Sequence, residues 1–472
     1  MEAARIILGY CPTRRDVFSK SEALRYSKLV KEKIRPWCSE LVDIDDINSE
    51  GLLFDEPDIA KTVEKMRAAK VDALFFPHCN FGSEVIVANV ARALGVPVLI
   101  WGPRDDAPEK DGVRQRDTQC GLFATGKVLR RFNVPFTYLT NTTPDDKYFE
   151  DGFKKFIAVA SVVKSLRDLR ILQISTRPTY FMSVIVNENE LMERFGIQVT
   201  PIALPELIAH MDEIREEGGA DYTATFKLIK ENISPNTPDD QIAKLASLKA
   251  AIRSLAARYN CRAAALQCWS ALQDVTGIMP CLANSLLSDD GLPCACETDI
   301  NGAITAVMLQ AATLDTKPHF FADVTVRHPT DDNIELLWHC GPFPYSLAKD
   351  KKKANAAGSW ILESRAYGTC EREIKGGDVT LARFDGDHGN YSLLIGEGEG
   401  VDGPFTRGTY MWLKVKDWPK WEHKIVKGPY IHHIVGIHGK YADVLLEACN
   451  YINGLCPDPV EPSLCELEAR WR

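Results

Sequence analysis

The apolar positions of the first hundred residues come in short runs separated by stretches of helical period. Ile6-Ile7-Leu8-Gly9-Tyr10 reads as a strand, and a helix pattern through Ala23, Leu24, Leu29 and Ile34 follows, with Ser19 or Ser21 as N-cap. Glu40-Leu41-Val42-Asp43 reads as a second strand, 59–69 as a helix, 71–77 as a strand, 84–94 as a helix and 96–102 as a strand. This alternation predicts an open parallel sheet with helices on both faces. A second unit of the same kind starts at Leu169 and runs through a strand at 196–201, a polar helical region from 204 to about 232 and a helix over 239–259. It reaches a buried strand at 261–269 that ends near Gln267. After about residue 325 the texture changes to Val/Ile/Thr/Trp alternation with many glycines. Strands are expected at 334–339, 359–365, 369–375, 379–385, 391–399 and 409–415, with Gly386-Asp387-His388-Gly389 as a tight hairpin. A last helix over 441–453 stops at Gly454. The expected fold is α/β: two doubly wound parallel-sheet N-terminal domains, 1–168 and 169–325, followed by a mostly β C-terminal domain, 326–472, with a final helix.

Composition narrows the function classes. A chain of 472 residues has room for two or three domains. Its net charge of −9 disfavours polyanions, so neither nucleic acid nor an anionic membrane is an expected partner. No apolar run reaches the length of a membrane span, and Met1-Glu2-Ala3-Ala4-Arg5 lacks the shape of a signal peptide, so a cytoplasmic protein is expected. The 14 cysteines are scattered, several inside apolar runs, as small core residues in a reducing compartment would be. Cys294 and Cys296 have no second knuckle, which argues against structural zinc. No glycine-rich phosphate loop is present, so no nucleotide site is indicated. Parallel sheets hold ligands at the carboxyl ends of their strands, where the first sheet's loops carry Arg14, Arg15, His78, Asn80 and Arg104.

Candidate chemistry concentrates between Cys294 and Pro329. Glu297 and Asp323 stand at the two ends of an apolar passage, Asp323 inside the strand-like run Phe320-Phe321-Ala322-Asp323-Val324. A carboxylate there is costly unless paired, hydrogen-bonded or bound to a metal. The pair is therefore a metal site or an acid/base pair, or else a helix N-terminal charge and a salt-bridged strand end. Histidines number only ten. His432, His433 and His438 cluster in one loop–strand–loop, and His339 ends an apolar strand. Such a set would suit Mn²⁺, Mg²⁺, Co²⁺ or Zn²⁺.

Ala295-Cys296-Glu297-Thr298-Asp299-Ile300-Asn301-Gly302, followed by Phe321-Ala322-Asp323-Val324, resembles the L-fucose isomerase family, with its Glu-x-Asp-x-x-Asn-Gly and Phe-Ala-Asp-Val motifs. The His432-His433 segment is similar to one in the more distant L-arabinose isomerases. The chain is shorter than typical fucose isomerases and has His339-Cys340-Gly341 where they have Asn-Ser-Gly. The resemblance implies an aldose–ketose isomerase working through an ene-diol, with Mn²⁺ held by Glu297, Asp323 and His432, and with Glu297 and Asp323 as acid and base. It also implies substrate contacts from Gln267 and from Arg14 or Arg15, and a homo-oligomer with sites near subunit contacts; further candidates are His339, as a fourth ligand or a sugar hydroxyl partner, His433, and Trp269, stacking on the sugar. Asp299 and Asn301 would cap the helix and orient a ligand. Trp412, Trp418 and Trp421 would either stack on the sugar or pack. Arg14 and Arg15 would suit an acidic sugar derivative. Two alternatives stay open: a non-catalytic sugar-binding or regulatory protein of the same fold, and a thiol enzyme using Cys294 or Cys296, which neighbouring Glu297 disfavours.

Overall fold

The computed structural model describes residues 3–352, 355–358 and 367–472, so the strand expected over 359–365 lies outside the described residues. The chain divides into two compact units. One contains residues 4–164, 446–452 and 465–472, and the other contains 165–445 and 453–464.

In the first unit β1 (Ile7–Tyr10), β2 (Glu40–Val42), β3 (Ala73–Pro77), β4 (Val98–Trp101) and β5 (Thr137–Tyr138) form a parallel sheet in the order β2-β1-β3-β4-β5. The expected helices are present as Lys20–Ile34, Pro57–Ala68 and Glu84–Leu94. Ser19 caps the first, accepting from the Glu22 N–H at 3.3 Å. The sequence pattern did not reveal the helices Thr118–Arg131 and Lys147–Leu166. The second of these packs Phe149 against Trp101 and Phe153 against Phe75.

The second unit opens with β6 (Arg170–Ile174), β7 (Gln198–Ile202), β8 (Ala263–Leu266) and β9 (Cys294–Ala295), parallel in the order β7-β6-β8-β9. The helical stretch after residue 204 is two helices, Leu204–Glu217 and Ala220–Leu228. Gly218 and Gly219, with φ of 78° and 143°, break it where no side chain is favoured. The helix Asp239–Arg258 follows as expected.

The rest of this unit is built on β10 (Phe320–Arg327), β11 (Ile334–His339), β12 (Asn355–Gly358), β13 (Tyr367–Glu373), β14 (Gly377–Asp387), β15 (Asn390–Val401), β16 (Thr409–Lys414), β17 (His433–His438) and β18 (Leu455–Pro459). Six of these strands close into an antiparallel barrel, β16-β11-β10-β17-β14-β15, because β15 also pairs with β16. The β14–β15 hairpin turns at His388 and Gly389, both at positive φ, as a two-residue turn requires. Phe320, Leu337, Leu381, Leu394, Met411 and Trp421 fill the barrel. Closure removes the exposed edges that such glycine-rich strands would otherwise present.

The helix Ile300–Ala312 lies between the parallel sheet and the barrel, touching β6 and β8 on one side and β14 and β17 on the other. All of its residues are buried, which accounts for a composition apolar on every face. Its first turn sets the candidate site.

Candidate active site

The site forms where β8 and β9 end, at the carboxyl edge of the second parallel sheet, against the barrel strands β10, β11 and β17. Leaving β9, the chain passes Glu297 and Thr298 in left-handed conformations, with φ of 52° and 59°, before Asp299 caps the central helix. Non-glycine residues in that region cost about 1–2 kcal/mol each and concentrate where function demands a side-chain direction. Here the strained turn aims Glu297 at the barrel. Its backbone N–H points to Cys268 Sγ at 3.3 Å, and the Cys268 thiol donates to its Oε1 at 3.5 Å.

Antiparallel register brings the other groups. Asp323 on β10 is opposite His433 on β17, so both side chains leave the same face. His433 Nε2 stands 3.5 Å from Asp323 Oδ1 and 3.7 Å from Glu297 Oε2. His339 Nε2, at the end of β11, is also 3.7 Å from Glu297 Oε2. The atoms Glu297 Oε2, Asp323 Oδ1 and His339 Nε2 are buried without a hydrogen-bond partner. Buried polar atoms are rarely left so, and two acids with imidazoles around one point are the donor set of a divalent cation. The residues present fit such an ion.

The field at the site points the same way. Burial works against a charged His339, yet the Asp323 carboxylate, Cys340 and Glu297 outweigh it and hold the imidazole well above its ordinary range. Burial would push the Glu297 carboxyl up, but His339 and His433 bring it below its usual value. Asp299 orients the whole. Its carboxylate accepts from Gly302 N at 2.9 Å, meets His433 Nδ1 at 2.8 Å and pairs with Arg383. A proton on Nδ1 facing that carboxylate leaves Nε2 free to act as a ligand. Burial of Asp299 is more than offset by Arg383 and His433, which hold its carboxyl well below the carboxylate range. Arg383 also binds Asp385, and Asp385 accepts from Asn301 at 2.8 Å.

Several sequence candidates therefore meet: Glu297, Asp323, His339 and His433. His432 comes to 3.9 Å from Asp323 and is 44% exposed, whereas the His433 side chain is 1% exposed. Gln267 follows β8 and accepts from Ser175 Oγ at 2.8 Å. Trp269 is exposed and packs edge-on against Phe181. Trp412, Trp418 and Trp421 are buried in the barrel unit, packed in its apolar clusters. Arg14 and Arg15 belong to the other unit. Arg14 is buried between Glu50, at 2.6 Å, and the Phe54 ring, while Arg15 lies over Phe81. Sequence reading missed Arg383, Asp385, Ser175, Thr176 and Arg177. The one available signal was charge at Arg383 and Asp385 within the apolar alternation of β14.

A model for the fucose/sulfoquinovose isomerase N-terminal domain matches residues 9–167, and one for the L-fucose isomerase C-terminal domain matches 337–455. The sulfoquinovose isomerase of Alkalicoccus urumqiensis is 28% identical over 334 residues, covering 71% of this chain and 73% of that protein. That of Priestia aryabhattai is 24% identical over 448 residues, covering 94% and 97%. That of Clostridium sp. (strain MSTE9) is 24% identical over 380 residues, covering 79% and 83%. The protein is a sugar aldose–ketose isomerase, an intramolecular oxidoreductase. Its chain belongs to the L-fucose isomerase-like family.

Proposed function

We propose that this isomerase depends on a divalent metal, with Mn²⁺ the first ion to test, and acts by proton transfer between C1 and C2 of a free sugar. The reading is carried by three buried, unpartnered atoms, Glu297 Oε2, Asp323 Oδ1 and His339 Nε2, gathered near His433 Nε2. Glu297, Asp323 and His433 would hold the ion, since His433 approaches both acids. His432 approaches Asp323 and stands at the rim. Mg²⁺, Co²⁺ and Zn²⁺ suit the same donors. Bound there, the ion would supply Lewis-acid polarisation of the sugar oxygens and stabilise negative charge on them.

Glu297 and Asp323 are the proton carriers. One carboxylate removes the C2 proton of the aldose as O1 gains one, giving the ene-diol. Return of a proton to C1, as O2 loses its own, gives the ketose. Gln267, its carbonyl engaged by Ser175, has its amide N–H groups left for a sugar hydroxyl.

The relatives' name makes sulfoquinovose, a sulfonated sugar, the first substrate to test. Arg177, in the loop after β6, supports an anionic sugar. Its Nη1 donates to the carbonyls of Pro178 and Thr179 at 3.3 Å, and among the described residues no carboxylate pairs with it. The preceding residue, Thr176, accepts from Thr298 Oγ at 3.1 Å, next to Glu297. A homo-oligomer with sites near subunit contacts is part of the proposal, supported by apolar side chains exposed on these loops at Tyr180, Met182, Ile185 and Trp269.

The test is metal retention. Purified protein incubated with Mn²⁺ and desalted is expected to hold the ion, and Glu297→Gln to hold it at least about tenfold more weakly. Equal Mn²⁺ content in the two proteins would overturn the assignment.

A further inference from the structure

Beside the imidazoles lie two buried thiols that the proton-transfer chemistry does not use, and with Glu297 they make a second donor set. Cys268, Cys296 and Glu297 are all buried, and one ligand atom from each lies within 4.8 Å of the others. Asn284 Nδ2 fixes Cys296 Sγ at 3.6 Å, and Cys268 Sγ is 3.5 Å from Glu297 Oε1. In a tetrahedral site with Zn–S of about 2.3 Å and Zn–O of about 2.0 Å, sulfur and oxygen stand about 3.5 Å apart. The observed spacing is that of two corners of such a tetrahedron.

Glu297 thus divides its oxygens. Oε1 faces the thiols, while Oε2 faces His339 and His433 at 3.7 Å each. The two donor sets differ in softness: thiolates select thiophilic ions, whereas carboxylates suit harder ones.

We infer that Cys268, Cys296 and Oε1 of Glu297 form a second cation site for thiophilic ions such as Cd²⁺ or Zn²⁺, sharing Glu297 with the carboxylate–imidazole centre. On binding, each thiol releases a proton to solvent as its sulfur–metal bond forms, with no change in oxidation state. Three protein donors leave one corner for water. One carboxylate serving two ions makes occupancy of the soft site weaken the harder centre, a consequence that rests on the metal-dependent isomerase reading. The soft site itself does not.

The full chain with exposed Cys120, Cys456 and Cys465 changed to Ser is titrated with Cd²⁺, and sulfur-to-cadmium charge-transfer absorption is followed. A saturable band is expected. In Cys296→Ser and in Cys268→Ser the affinity falls at least about tenfold and the band weakens. An unchanged band in both variants, or no band in the parent, overturns the inference. Should either variant fail to fold, X-ray absorption of Zn²⁺-loaded parent protein serves instead. Two sulfur neighbours at about 2.3 Å are expected, and a shell of only nitrogen and oxygen overturns the site. Mn²⁺ retention is measured on the same proteins before any Cd²⁺ is added. Retention without sulfur-bound Cd²⁺ defeats this inference alone, and sulfur-bound Cd²⁺ without Mn²⁺ retention defeats the isomerase metal assignment alone.

Discussion

Asp323 sits in mid-strand with one buried oxygen unpartnered and two imidazoles near it, and Glu297 approaches the same point from a strained turn. These two acids were legible in the sequence because carboxylates stand out in apolar surroundings and because their motifs resemble a known family. What the sequence did not show is how the adjacent histidines differ in burial: strand register pairs Asp323 with His433 and turns His433 inward, while His432 stays half exposed. Arg177 was invisible for a related reason. Its relation to Glu297 runs through a hydrogen bond between Thr298 and Thr176, 122 positions apart. Its expected contribution is specific: Arg177→Gln lowers kcat/KM for an anionic sugar by about 10–100-fold, the range for losing a charge-assisted hydrogen bond, and leaves a neutral sugar little affected. Steady-state kinetics on a sulfonated and an unsulfonated hexose measure this, and an equal loss on both would count against the role.

The helix Ile300–Ala312 is the element on which the site depends. Its core span was readable from helix-forming composition without interior Gly or Pro, but its position between sheet and barrel was not, since helical periodicity vanishes when every face is buried. Gly302 in its first turn has a definite reason. A Cβ there would lie 2.4 Å from Phe321 Cε2 and 2.8 Å from Asp299 Oδ2. Phe321 packs edge-on against His433, with ring centroids 4.9 Å apart. Gly302→Ala is therefore expected to cost about 1–3 kcal/mol of stability and to weaken metal retention together with it. Denaturant unfolding and metal analysis check the two effects, and a variant as stable as the parent would contradict the packing argument. Other helices were missed for composition's sake: Thr118–Arg131 carries four polar residues in its first turn and last pair, which dilute its apolar stripe.

For the molecule as a whole, the α/β alternation and the later β texture were legible, whereas barrel closure was not, because it depends on β15 meeting β16 after a turn outside any local pattern. Closure also buries Glu335, which is 3% exposed beside a cavity of about 700 Å³ lined by Arg327, Trp418 and Tyr430. Burial pushes its carboxyl up to about 7, against an ordinary value of 4.5, with Arg327 opposing and Glu422 adding. Below the ordinary value the group is protonated in both folded and unfolded chains. As pH rises towards 7 the unfolded chain ionises first, so the folded state loses on the order of 1–3 kcal/mol. Glu335→Gln removes that loss and is expected to be more stable than the parent at pH 8 relative to pH 5. Unfolding curves at the two pH values test it, and an identical pH response in parent and variant would contradict it.

The most direct test of metal-dependent proton transfer is isomerisation of sulfoquinovose in D₂O, followed by NMR, with parent protein and Asp323→Asn, each with Mn²⁺ and after chelation. The parent with Mn²⁺ is expected to form the ketose, and either chelation or Asp323→Asn to abolish turnover while circular dichroism reports an intact fold. Undiminished turnover in the chelated parent or in Asp323→Asn would contradict the account.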